Sequence, residues 1–69
     1  MPLINVHLAD GPSDEAKVEL MRAITEAACT TLGVSIQSVR VWITPIAETH
    51  YMAAGVSLAE RRAAERSAG

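Results

Sequence analysis

Hydrophobic and polar positions alternate at the start of the chain. Ile4, Val6 and Leu8 fall on one side of an extended segment and Leu3, Asn5 and His7 on the other, which predicts a strand over residues 3–8. Asp10-Gly11-Pro12 ends it with turn chemistry. The period then lengthens. Leu20, Met21, Ile24, Ala27, Ala28 and Leu32 form one stripe of an amphipathic helix, with Lys17, Glu19, Arg22 and Glu26 off the stripe. Ser13 can cap the helix start, Asp14 and Glu15 suit the positive end of its dipole, and Gly33 suits the position just past its end, which bounds the helix at residues 14–32. After a connector over residues 34–37, alternation returns. Val39, Val41 and Ile43 oppose Arg40, Trp42 and Thr44, a second strand over residues 39–44 that Pro45 is expected to stop. Residues 48–55 suit a turn or short hairpin. Residues 57–67, rich in Ala, Glu and Arg behind Ser57, suit a short terminal helix or a tail that orders on a neighbour.

The predicted fold is α/β: one domain, a β-α-β unit with a two-stranded parallel sheet and a short C-terminal hairpin and tail. A helical crossover is long enough to join parallel strands. Two strands and one helix leave an open sheet face and two open edges. A chain of 69 residues is short, and such chains bury only about 60% of the surface exposed on unfolding. Disulfides, metals or self-association usually compensate. Cys29 is the single cysteine, and it and the two histidines lack zinc-site spacing, so self-association is what remains. A hydrophobic content of 49% with only 3% aromatic suits aliphatic faces buried against neighbours.

A net charge of −2 argues against a nucleic-acid partner. No apolar run approaches the ~18 residues of a membrane span, so no membrane partner is expected. The start of the chain lacks the basic and apolar regions of a signal peptide. With its lone unpaired cysteine, the protein is expected to be cytoplasmic.

Two residues carry candidate chemistry. Initiator methionine is normally removed ahead of a small residue, and its removal here would leave Pro2 as a free secondary amine at a strand end. An α-amino group titrates at about 7.7–8.0. An apolar pocket or a neighbouring cation disfavours its charged form, leaving a base that works near neutral pH. The alternative is a proline that merely starts a strand, where its missing N–H costs nothing. Arg40 stands in an otherwise apolar strand with Trp42 on the same face. It needs a carboxylate there, from another subunit or from a ligand. His7 and His50 read as polar strand and loop groups, and Cys29 as a small packing residue.

The chain resembles the 4-oxalocrotonate tautomerase family of the tautomerase superfamily. The resemblance runs without gaps from Pro2 to about Gly55. It rests on the Pro2 start with its strand and His7, on Gly11-Pro-Ser-Asp-Glu15 with Lys17, on Ser38-Val-Arg-Val41 with Ile43-Thr44, and on His50-Tyr51. It implies a cofactor-free isomerase assembled as a homohexamer, with pockets where subunits meet. By the same resemblance Pro2 is the general base, Arg40 binds a substrate carboxylate and polarises the carbonyl oxygen, Tyr51 walls the pocket against water, and Ser38 belongs to the substrate site. The expected reaction moves a proton between positions of a small enol or unsaturated oxo-acid.

The departures bear on the substrate. Relatives that act on dicarboxylates carry a second arginine in the first turn, where this chain has Pro12. A dehalogenating or hydrating branch needs an arginine pair in that turn and a later acid, where Ala9, Pro12 and Ala53 stand, so that branch is disfavoured. Arg61, Arg62 or Arg66 of the tail could supply the missing charge. Loss of the turn arginine also suits a second function, a non-catalytic partner subunit in a mixed hexamer.

Overall fold

The computed structural model describes residues 1–68. Strand β1 (Leu3–Ala9) leads into helix α1 (Asp14–Leu32), and the chain returns as strand β2 (Arg40–Ile46). The two strands are parallel and in register from Leu3 opposite Arg40 to Ala9 opposite Ile46. A 3-10 turn at Glu48–His50 follows, then a hairpin of β3 (Met52–Ala53) and β4 (Val56–Ser57), then helix α2 (Leu58–Ala68). This is the predicted α/β unit with its C-terminal hairpin. No helix among the described residues is long and apolar enough to cross a membrane.

The helix bounds follow from two residues. Ser13 is extended and its Oγ accepts from the Ala16 N–H at 3.1 Å, satisfying one of the donors a helix start leaves free. Gly33 adopts φ +66° and its N–H donates to the Cys29 carbonyl at 2.9 Å. That left-handed conformation is strained for a side-chain-bearing residue and routine for glycine.

Two expectations need correction. Pro45 does not stop the second strand, which continues to Ile46. The Arg40 N–H donates to Pro2 and the Ile46 carbonyl accepts from the Asp10 N–H, both at 3.0 Å, so the even-numbered residues of β2 bond to β1. Backbone groups alternate sides along a strand, which turns the position of Pro45 to the open outer edge, where no ladder donor is missed. The helix stripe is also wider and less buried than its spacing suggests. Met21, Ile24 and Ala28 are half-buried, as are Lys17, Thr25 and Cys29, whereas Leu20, Ala27 and Leu32 are exposed. Thr25 fits this face because its hydroxyl donates to the Met21 carbonyl at 2.8 Å.

On the sheet, Ile4, Val6 and Leu8 are half-buried while Leu3, Asn5 and His7 are exposed, as the alternation requires. The core is thin. Val39 is the one apolar residue among those described that counts as buried, at 9% exposure. The chain is elongated, 46 × 22 × 17 Å, with a radius of gyration of 15.8 Å. A compact domain of this length would measure about 11 Å. The accessible surface is 4954 Å², roughly 800 Å² above the norm for a folded monomer of this mass.

Candidate active site

Pro2 lies half-buried immediately before β1, and its carbonyl accepts the first bond of the parallel ladder, from the Arg40 N–H at 3.0 Å. The pair suggested by the sequence is thus held together by the strand register. What aims Arg40 is the residue before it. Val39 is buried, and alternation then turns Arg40 to the exposed sheet face with Trp42. Arg40 Nη1 donates to the Gln37 carbonyl at 2.5 Å and contacts that of Val39 at 3.3 Å. Among the described residues Nη2 and Nε make no such bond, so one side of the guanidinium fork is anchored and the other is available.

Ser38 closes the 3-10 turn at Ile36–Ser38, two residues ahead of Arg40. Its hydroxyl donates to the Ser35 carbonyl at 2.7 Å, so it shapes the turn that delivers Arg40. Midway along the sheet, the Thr44 hydroxyl donates to Asn5 Oδ1 at 2.9 Å on the exposed face. His7 lies exposed beside them and His50 exposed at the end of the second 3-10 turn.

Tyr51 is carried elsewhere. It follows that turn and is 49% exposed, and its carbonyl accepts from the Leu58 N–H at 3.0 Å. Its segment attaches beyond Ile46, at the other end of a seven-residue strand. At about 3.3 Å per residue that is roughly 20 Å from the end holding Pro2 and Arg40. One chain therefore unites Pro2, Ser38 and Arg40 but not Tyr51. Two open hollows of about 460 and 440 Å³ lie between α1 and β2, lined by Val18, Met21 and Val41 among others, and neither includes Pro2, Arg40 or Tyr51.

The arginine tail resolves into distinct positions. Arg61 Nη2 reaches the Ala53 carbonyl at 3.5 Å, and Arg66 is exposed. Arg62 returns to the first turn, where Nη1 donates to the Asp10 carbonyl at 2.6 Å and stands 3.3 Å from Glu48 Oε2. No periodicity or motif marks Arg62 for that place; only the fold of the tail brings it there.

Three comparisons bear on identity. The family described as Tautomerase enzyme matches residues 2–61. A 2-hydroxymuconate tautomerase of Pseudomonas putida is 41% identical over 51 residues, 74% of this chain and 81% of the relative. A probable tautomerase of Ralstonia nicotianae is 46% identical over 56 residues, 81% of this chain and 80% of the relative. Among solved structures, a 4-oxalocrotonate tautomerase isozyme of Methylibium petroleiphilum superposes with a TM-score of 0.86 at 38% identity, covering 91% of this chain and 98% of its own. A heterohexamer 4-oxalocrotonate tautomerase of Chloroflexus aurantiacus J-10-fl gives 0.83 at 37%, covering 87% and 97%. A shared strand–helix–strand frame, near-complete coverage in both directions and identities of this size do not arise from fold alone: the chain belongs to the tautomerase family, as a 4-oxalocrotonate tautomerase-like member and, in general class, an isomerase.

Proposed function

We propose that this protein is a cofactor-independent tautomerase of small enols or unsaturated oxo-acids, with Pro2 as general base and Arg40 as the carboxylate-binding residue. The observation carrying this assignment is the backbone bond between Arg40 and Pro2 at the head of the parallel ladder. It keeps a cation and the strand-end nitrogen at one end of one rigid sheet. For an enol substrate, the Pro2 nitrogen takes the hydroxyl proton as the electron pair moves down the conjugated chain. The ammonium so formed delivers that proton to the distal carbon, leaving a carbonyl compound and a neutral amine. Arg40 holds the carboxylate and opposes the negative charge that builds on oxygen in between. Ser38 supports the turn beneath Arg40, and Tyr51 walls the pocket. Because Tyr51 sits at the far end of its own sheet, a neighbouring subunit contributes it on this reading, which calls for self-association; the homohexamer is what the family resemblance implies.

The test is a comparison of chain with Met1 removed and chain with Met1 retained, separated by mass spectrometry. Both are assayed with 2-hydroxydienoates and phenylenolpyruvate. An amide nitrogen is not basic, so the retained form is expected to fold normally and be nearly inactive. In the trimmed form the rate should rise with pH through a midpoint below the ordinary α-amino value of about 7.7–8.0. Equal activity of the two forms removes Pro2 from the mechanism.

A second reading has its own support. The Chloroflexus aurantiacus relative is a heterohexamer, and Pro12 stands where dicarboxylate-using relatives carry an arginine. On that reading the chain is a partner subunit, and the purified chain alone would turn over none of these enols.

A further inference from the structure

Arg62 joins three segments that are distant in sequence. It belongs to α2, donates to the Asp10 carbonyl of the first turn, and lies beside Glu48, which opens the 3-10 turn leading to Tyr51. The guanidinium lies alongside the first turn: a Cβ built on Gly11 would stand at ordinary contact distance, 3.7 Å, from Arg62 Nη1 and Nη2, and it is the φ of +147° that calls for glycine there. Glu48 Oε2 is shut off from solvent and accepts no aligned hydrogen bond among the described residues; the charge of Arg62 at 3.3 Å is what faces it. The two side chains retain 32% and 36% exposure, so the contact is no buried ion pair and its value as bulk stability is small. What it does is geometric: one guanidinium touches both the first turn and the root of the Tyr51 segment.

We propose that Arg62 is a positioning residue: through Glu48 and the Asp10 carbonyl it sets where the Glu48–His50 turn, and with it Tyr51, stands relative to the sheet. The proposal rests on Tyr51 walling the pocket as assigned above. It also gives Arg62 a role other than that of a free cation for substrate, since its charge already faces Glu48.

Amide exchange and steady-state kinetics on the assembled protein test it. In Arg62→Ala, exchange over residues 47–57 is expected to quicken while that of β1 and β2 stays as in the parent. With an active enol substrate, kcat/KM should fall about tenfold, chiefly through KM, with the pH midpoint of the rate unmoved. Arg62→Lys keeps the charge and loses the fork, and should recover part of both effects. Unchanged exchange and KM in Arg62→Ala would overturn the proposal, as would quickened exchange throughout the sheet, which marks a general stability contact. Should Arg62→Ala fail to fold, Glu48→Gln, which removes only the charge, decides by the same two readouts. If the parent turns over no enol, the assigned function falls, and the exchange pattern alone still decides the role of Arg62.

Discussion

Arg40 shows how little of a side chain's role is carried by its charge alone. It is oriented by a buried valine on one side and anchored through Nη1 to two backbone carbonyls, so the residue arrives at the sheet face already ordered. A cation held this way loses less freedom on binding an anion. Arg40→Ala should therefore weaken turnover of acid substrates by about 2–4 kcal/mol, the scale of a lost charge-assisted bond in a water-poor site; unchanged kinetics in a correctly assembled variant would make the arginine structural. The first turn sets a second expectation. Pro12 brings no charge there, and Arg62, which does reach the turn, faces Glu48. A monoacid should consequently be used at least as well as its dicarboxylate analogue in paired kcat/KM measurements. A strong dicarboxylate preference would mean that Arg62 exchanges Glu48 for substrate. The neighbourhood of Pro2 and Arg40 was readable beforehand because strand register brings sequence-distant residues together predictably. The destination of Arg62 was not, since it depends on where α2 stands beyond the end of the sheet, within a side chain's reach of the first turn.

Elements were readable where local chemistry decides them. Ser13 and Gly33 bound α1 at the residues expected, because capping bonds involve only near neighbours. Ser57 follows the same logic at α2. It is 8% exposed and its Oγ accepts from the Glu60 N–H at 3.1 Å. Removing that acceptor in Ser57→Ala leaves the part-buried Glu60 N–H without its cap and should cost about 1 kcal/mol in denaturant unfolding, the usual scale of a lost N-cap. A smaller loss would mean that water replaces the hydroxyl. The hairpin between β3 and β4 turns through Ala54 and Gly55, at φ +55° and +79°, as a two-residue turn of this hand requires. The end of β2 was not readable, because whether a proline breaks a strand depends on which edge its nitrogen faces. Nor was the division of the helix stripe. Periodicity reveals apolar positions without telling which are covered by the chain's own sheet, as Met21 and Ile24 are, and which, like Leu20 and Leu32, remain bare.

At the scale of the whole molecule, the bare positions make sense as contacts awaiting partners. Leu3, Leu32 and Ile36 are 63%, 59% and 65% exposed. An excess surface of roughly 800 Å² is about what one partner of a standard interface buries. Sedimentation at micromolar concentration should accordingly show a hexamer or at least a multiple of the monomer, and a stable folded monomer would contradict both self-association and the shared pocket proposed above. The elongated outline has the same origin. The C-terminal hairpin and α2 extend the chain beyond the sheet instead of folding over it, which serves a subunit only when something else fills the gap.

The outward-facing nitrogen of Pro45 has a consequence for the time before assembly. A freshly made subunit exposes extended backbone to a crowded surrounding full of other nascent chains, and uncontrolled strand addition there ends in insoluble aggregate rather than in an ordered assembly. Along the outer side of β2, proline deletes one of the donors such growth would use. Pro45→Thr restores that donor with a β-favouring residue. It should leave the assembled protein active while raising light scattering during refolding from dilute denaturant, and equal scattering would show that the missing donor offers no protection against misassembly.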